Sequence, residues 1–145
     1  LLLAKVVGDT IEYPVDLTQF NDPNILVNYK DYSLMLVVAT IPPELPWYKT
    51  ITGDTAKFID NQLTQVWVSD YIDDNLIKLE YNKLLNKELK YWMDKLNEFD
   101  LSTDPAVTNS NYIAIFNYIK NLRTNYSDYK LVYSPEFAWP QQPQV

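Results

Sequence analysis

The sequence predicts an α+β fold: a small N-terminal antiparallel β region, a long antiparallel helical hairpin, and an extended aromatic and proline-rich C-terminal tail. Three observations predict it. Two short β-prone stretches flank a Gly-Asp pair near the start, and a helical apolar spacing runs from Ile77 to Phe99. The closing stretch, PEFAWPQQPQV, sets Phe137 and Trp139 among prolines. With 145 residues, 47% hydrophobic and 14% aromatic, the chain lies outside disordered compositions and has material for a core. The expected segments are residues 1–70, β-rich; 71–123, the helical hairpin; and 124–145, the tail. Together they are expected to form one compact unit.

Leu3–Val7 and Thr10–Tyr13 carry β-branched and aromatic residues around Gly8-Asp9, a pair suited to a two-residue hairpin turn because glycine accepts positive φ. Pro14 ends the second strand. Val15–Asn28 is turn-rich, with Asp22-Pro23-Asn24 at its centre. Ser33–Thr40 (SLMLVVAT) is an apolar run that reads as a strand buried on both faces. Ile41–Pro46 (IPPELP) permits only an extended bend. Lys57–Asp60 and Leu63–Val68 read as a second hairpin around Asn61-Gln62, with Leu63, Gln65 and Trp67 on one face and Val66 and Val68 on the other.

The first long helix is expected to start near Ser69, with Asp70 as N-cap and Asp73 and Asp74 at the positive end of the helix dipole. Its apolar line is Ile77, Tyr81, Leu85, Leu89, Trp92, Leu96 and Phe99, and Lys83, Lys87, Lys90 and Lys95 fall on the wet side. That spacing explains Tyr91, Trp92 and Phe99 as core rather than as a ligand platform. Ser102–Asn111 is a linker of cap and turn residues. A second helix follows, capped by Asn109 or Ser110, with Tyr112, Ile115, Phe116, Ile119 and Leu122 on its inner face. Neither helix is stable alone in water, so the two are expected to pack antiparallel.

Composition narrows the function. The chain has no cysteine and no histidine, which removes thiolate and imidazole chemistry, both catalytic and metal-binding. Two glycines leave no phosphate-cradling loop. Asp73 and Asp74 point about 100° apart on a helix, and no calcium-loop spacing surrounds them. No enzyme activity, cofactor or metal is expected. A net charge of −7 opposes nucleic acid and anionic membranes as partners. Twelve tyrosines and four tryptophans instead fit protein contact.

The tail has two readings. Phe137 and Trp139 either pack on the helices and tie the end down, or dock a partner from a proline-stiffened backbone. Tyr133, Phe137, Trp139, Pro140 and Pro143 are the candidate partner-binding residues. Truncation after Tyr133 is expected to cost binding more than folding.

Four segments stand in order along the chain: IEYPVDLTQFNDPN (Tyr13, Pro14, Leu17, Asp22, Pro23), NQLTQVWVSD around Trp67, IFNYIKNLR ending in Leu122-Arg123, and EFAWPQQP with Trp139, Pro140 and Pro143. In that order they resemble bacteriophage tail fibre assembly chaperones. The long helix here is poorer in arginine than that family's. The resemblance implies a non-enzymatic helper, with no cofactor, that covers apolar surface on a phage tail fibre or other tail protein while it assembles. It implies the host cytoplasm during assembly as the location and allows a homo-oligomer. The alternative is a structural component of the virion, a baseplate or tail adaptor, in the mature tail.

Overall fold

The structure, a computed structural model, describes residues 1–99 and 109–145; most of the expected linker, Ser102–Thr108, lies outside the described residues. Helices and small antiparallel sheets coexist, as an α+β class requires. The chain divides into two compact units, Leu1–Tyr71 and Ile72–Val145, so the C-terminal segment belongs with the helices.

In the N-terminal unit, β1 (Leu3–Val7) and β2 (Thr10–Glu12) form the expected hairpin, in register Val6↔Ile11 and Val7↔Thr10. Gly8 takes φ 60° at its turn, where a side chain would be strained. β2 stops at Glu12, and the Tyr13–Pro14 peptide is cis. The turn-rich stretch that follows contains a short helix, α1 (Ile25–Asn28), between two 3-10 turns, Leu17–Gln19 and Tyr29–Tyr32. Asp22 organises it: its Oδ1 accepts from the Asn24 N–H at 2.8 Å, and its Oδ2 accepts from the Tyr32 hydroxyl at 2.9 Å.

The apolar run at Ser33–Thr40 departs from expectation. Ser33 sits in the left-handed region, and only Leu34–Leu36 forms a strand, β3. Leu34 and Val37 are buried, whereas Met35, Leu36 and Val38 are exposed. The strand buried on both faces is β1, because it lies central in the order β2-β1-β3. Its Leu3 packs with Ile25 and Leu34, while Ala4 packs with Val37, Ala56 and Leu63. Position in the sheet decides two-sided burial, and an apolar run at an edge does not obtain it.

The second hairpin is longer than the sequence signals. It pairs β4 (Lys49–Ile59) with β5 (Gln62–Tyr71) through a turn at Asp60-Asn61, one residue earlier than expected, with φ of 50° and 62°. Aspartate and asparagine tolerate that backbone. Leu63 and Gln65 are buried on the face they share with Trp67, as the alternation predicts. Val38 joins β5 by a parallel bridge to Thr64: its N–H donates to the Leu63 carbonyl and its carbonyl accepts from Gln65 N–H. Ile41–Pro46 carries no regular structure.

Gln65 is a buried polar hub. Its Oε1 accepts from the Thr40 N–H at 3.0 Å, its carbonyl accepts from the Thr40 hydroxyl at 2.9 Å, and its Nε2 donates to Asp54 Oδ2 at 2.7 Å. The Tyr13 hydroxyl donates to that same oxygen at 2.5 Å. Burial, then the Asp54 carboxylate, push the Tyr13 phenol up to about 12.

In the C-terminal unit, α2 spans Asp74–Asn97 with Asp73 as N-cap, accepting from the Asn75 and Leu76 N–H groups. The expected cap, Asp70, lies within β5 instead. Strand pairing as far as Tyr71 holds Asp70 in the ladder and moves the helix start on. Ile77, Tyr81, Leu85 and Trp92 are buried, and Lys83, Lys87 and Lys90 are exposed. α3 spans Ser110–Asn125, with Asn109 as N-cap to the Tyr112 N–H at 3.0 Å. Its buried stripe is Ile115, Tyr118, Ile119 and Leu122. Phe116 is 51% exposed rather than inward, and Tyr118 takes the inner position. Positions 115, 118, 119 and 122 lie on one narrow face, and 116 is turned about 100° away from 115. Trp92 of α2 meets Tyr118 of α3 with ring centroids 5.6 Å apart, and Phe99, just past the end of α2, meets Tyr112 of α3 at the same separation. A 3-10 turn, Tyr129–Tyr133, then buries Val132 and leads into the C-terminal segment.

Candidate functional site

Tyr81 is the fixed point of the C-terminal unit. It is fully buried on α2, and its hydroxyl donates to the Tyr126 carbonyl at the end of α3, at 2.6 Å. Removal from water pushes its phenol up to about 12. Trp139 stacks on Tyr81 with centroids 5.0 Å apart and on Tyr126 at 6.0 Å. Phe137 lies 5.4 Å from Trp139 in an edge arrangement and 6.2 Å from Tyr81. Such aromatic pairs contribute about 0.5–1.5 kcal/mol each beyond area burial. The C-terminal segment is therefore held on the helices by its own rings.

The five candidate residues do not form one cluster. Trp139 and Pro140 border a groove between the helices and the C-terminal segment. Phe137 packs on Tyr81 instead. Tyr133 is tied to the start of α2, where its hydroxyl donates to Asp74 Oδ1 at 2.6 Å and that of Tyr129 donates to Asp74 Oδ2 at 2.9 Å. Those two bonds, Tyr133's first, hold the Asp74 carboxyl below its ordinary range. Pro143 is half-buried and does not line the groove.

The groove has a volume of about 600 Å³. Leu84, Tyr91 and Trp92 of α2 and Tyr118 of α3 form its helical wall, and Trp139, Pro140 and Gln142 close the other side. Tyr91, expected in the core, is 52% exposed here and belongs to the rim. A half-buried carboxylate, Glu88, lies among these groups. Its Oε1 accepts from Gln142 Nε2 at 2.7 Å, Tyr118 Oη at 2.8 Å and Trp92 Nε1 at 2.9 Å. Burial pushes the Glu88 carboxyl up, but the bonds from Gln142, Trp92 and Tyr118 outweigh it, and the group titrates below the ordinary glutamate value. Burial, followed by the Glu88 carboxylate, carries the Tyr118 phenol well above the usual phenol range.

The sequence did contain a signal for Glu88. Positions 81, 85, 88 and 92 form one helical stripe, and Glu88 is the charged member among apolar residues. A carboxylate on a buried stripe needs donors, and Trp92 one turn on supplies one.

Because the Glu88 pKa is depressed on folding, its contribution is present above the unfolded value near 4.5 and is lost as pH falls through the lower folded value. Melts of the helical circular dichroism signal from neutral pH to about pH 3 are expected to show a steeper loss in the natural chain than in Glu88→Gln. Parallel curves would show that Glu88 does not carry this dependence.

Among the described residues, no cluster of His, Cys, Asp or Glu is placed to hold a metal ion, and no helix is long and apolar enough to cross a membrane. No family model, curated protein or solved structure matches the chain.

Proposed function

We propose that this chain is a non-enzymatic binding protein that assists the folding or assembly of a phage tail fibre or other tail protein, in the host cytoplasm during assembly. In this reading α2 and α3 form a helical hairpin, the C-terminal segment is its extended strap, and the groove between them grips the partner. The observation that carries the reading is the groove itself: an aromatic-walled cleft of about 600 Å³ whose one carboxylate is ordered by three neutral donors. Large rigid rings give contact area at low entropic cost, which suits recognition. The in-order resemblance of the segments to tail fibre assembly chaperones adds the choice of partner. A net charge of −7 keeps a complex with a sticky, unfinished fibre dispersed.

The test is co-expression with the fibre protein of the same phage, scored by the yield of soluble trimeric fibre and by recovery of the complex. The expected result is a raised yield and a complex that Tyr91→Ala weakens. A fibre that folds equally well alone and never co-purifies would defeat the proposal. Stoichiometric presence of the chain in purified particles would replace the helper by a structural virion component.

A further inference from the structure

We propose that the groove between α2, α3 and the C-terminal segment receives an arginine side chain from an extended segment of the bound protein, with Glu88 as its counter-ion; this rests on the binding reading above.

Glu88 supplies the first support. All three of its hydrogen bonds fall on Oε1, so among the described residues Oε2 accepts none. Among the described residues no ion pair involves Glu88, although Lys90–Asp94 on α2 and Lys95–Glu98 at its C-terminal end do pair. Lys87 lines the groove but is exposed and does not pair with it. A half-buried carboxylate of this kind is ordinarily matched by a cation, because desolvation is costly without one. Three neutral donors fix the orientation of the group and hold it in its charged form, with no cation beside it among the described residues.

The walls supply the second. Tyr91, Trp92, Tyr118 and Trp139 line the same groove, Trp92 and Tyr118 turning their N–H and O–H groups to the carboxylate, and aromatic rings attract cations. Tyr91 already draws one: the Lys95 ammonium lies 5.7 Å from its ring centroid. Guanidinium suits this combination better than ammonium. It is planar, stacks on aromatic rings while donating to a carboxylate, and is less strongly hydrated. The volume leaves room for backbone on either side of the side chain. The negative charge of the whole chain favours approach of a basic segment.

The full chain, labelled with nitrogen-15, would be titrated with the capped peptide Gly-Arg-Gly and, as neutral control, Gly-Gln-Gly. The readout is the indole N–H resonance of Trp92, which donates to Glu88. A saturable shift is expected with the arginine peptide alone. Glu88→Gln, which keeps an acceptor for the three donors, is expected to weaken binding about tenfold. Tyr91→Ala removes an exposed ring that makes no hydrogen bond among the described residues, and is expected to weaken binding about threefold, with only a small loss in the melt from its edge contact with Trp92. Equal response to both peptides, no saturation, or natural affinity in both variants would overturn the proposal. The two readings fail separately. Fibre capture that is unaffected by Glu88→Gln, without arginine binding, sinks the arginine site alone. Arginine binding without fibre capture sinks the choice of partner and leaves the site.

Discussion

Ending the chain after Tyr133 will destabilise the C-terminal unit by about 3–5 kcal/mol, enough to remove much of a small domain's stability. The truncation takes away Trp139, stacked on Tyr81 and Tyr126, and Phe137, packed against both Trp139 and Tyr81. It also removes Gln142, the nearest of the three donors to Glu88. The otherwise buried ring of Tyr81 then faces water, and Glu88 loses a bond that offsets its burial. Urea unfolding followed by the helical signal measures the change. A shift below about 1 kcal/mol would mean that the segment rests on the helices without holding them. Trp139→Ala separates the ring from the rest of the strap and is expected to account for about half of the loss. Truncation thus costs the fold directly, and any binding defect in the shortened chain must be read against that loss. The sequence alone left both readings of the tail open, because nothing local to PEFAWPQQPQV tells which surface its rings will meet.

The second large effect is expected in the N-terminal unit, at Gln65. Gln65→Leu keeps the volume but strands the Thr40 N–H and withdraws a donor from Asp54, at a cost of about 2–3 kcal/mol. Gln65→Glu is expected to be worse near neutral pH. It places a second carboxylate where Nε2 now lies 2.7 Å from Asp54 Oδ2, and two carboxylates so close cannot both ionise cheaply. One pKa of the pair is then raised on folding, so the folded state binds a proton that the unfolded state has released. Stability must therefore recover as pH falls toward about 5 in this variant. Melts of the natural chain and both variants across that range provide the check. If Gln65→Glu melts like the natural chain near neutrality, the hub is not buried as described.

Much of the local structure was legible. The Gly8-Asp9 turn, the alternation of Leu63, Gln65 and Trp67, the α2 stripe through Ile77, Tyr81, Leu85 and Trp92, and the Asn109 cap follow from backbone geometry over a few residues. The site was legible in part. Trp139 and Pro140 stand out by their own chemistry, Glu88 only as the charged member of a buried stripe, and Tyr118 and the exposed Tyr91 not at all. Glu88 becomes part of a site only because Tyr118 and Gln142 arrive from far along the chain.

By itself, then, the sequence determined the α+β class, the Gly8-Asp9 turn and the inward line of α2 through Ile77, Tyr81, Leu85 and Trp92, while it misplaced the α2 cap and turned Phe116 of α3 inward. It also excluded imidazole and thiolate chemistry outright. The tertiary structure alone decided that β1 rather than the Leu34–Val38 run is covered on both sides. It also decided that Trp139 stacks on Tyr81 and that one carboxylate of α2 sits in a ringed groove. The division has a physical cause. Periodicity and capping depend on bonds between near neighbours, whereas burial and charge compensation depend on which distant segment fills the space beside a residue.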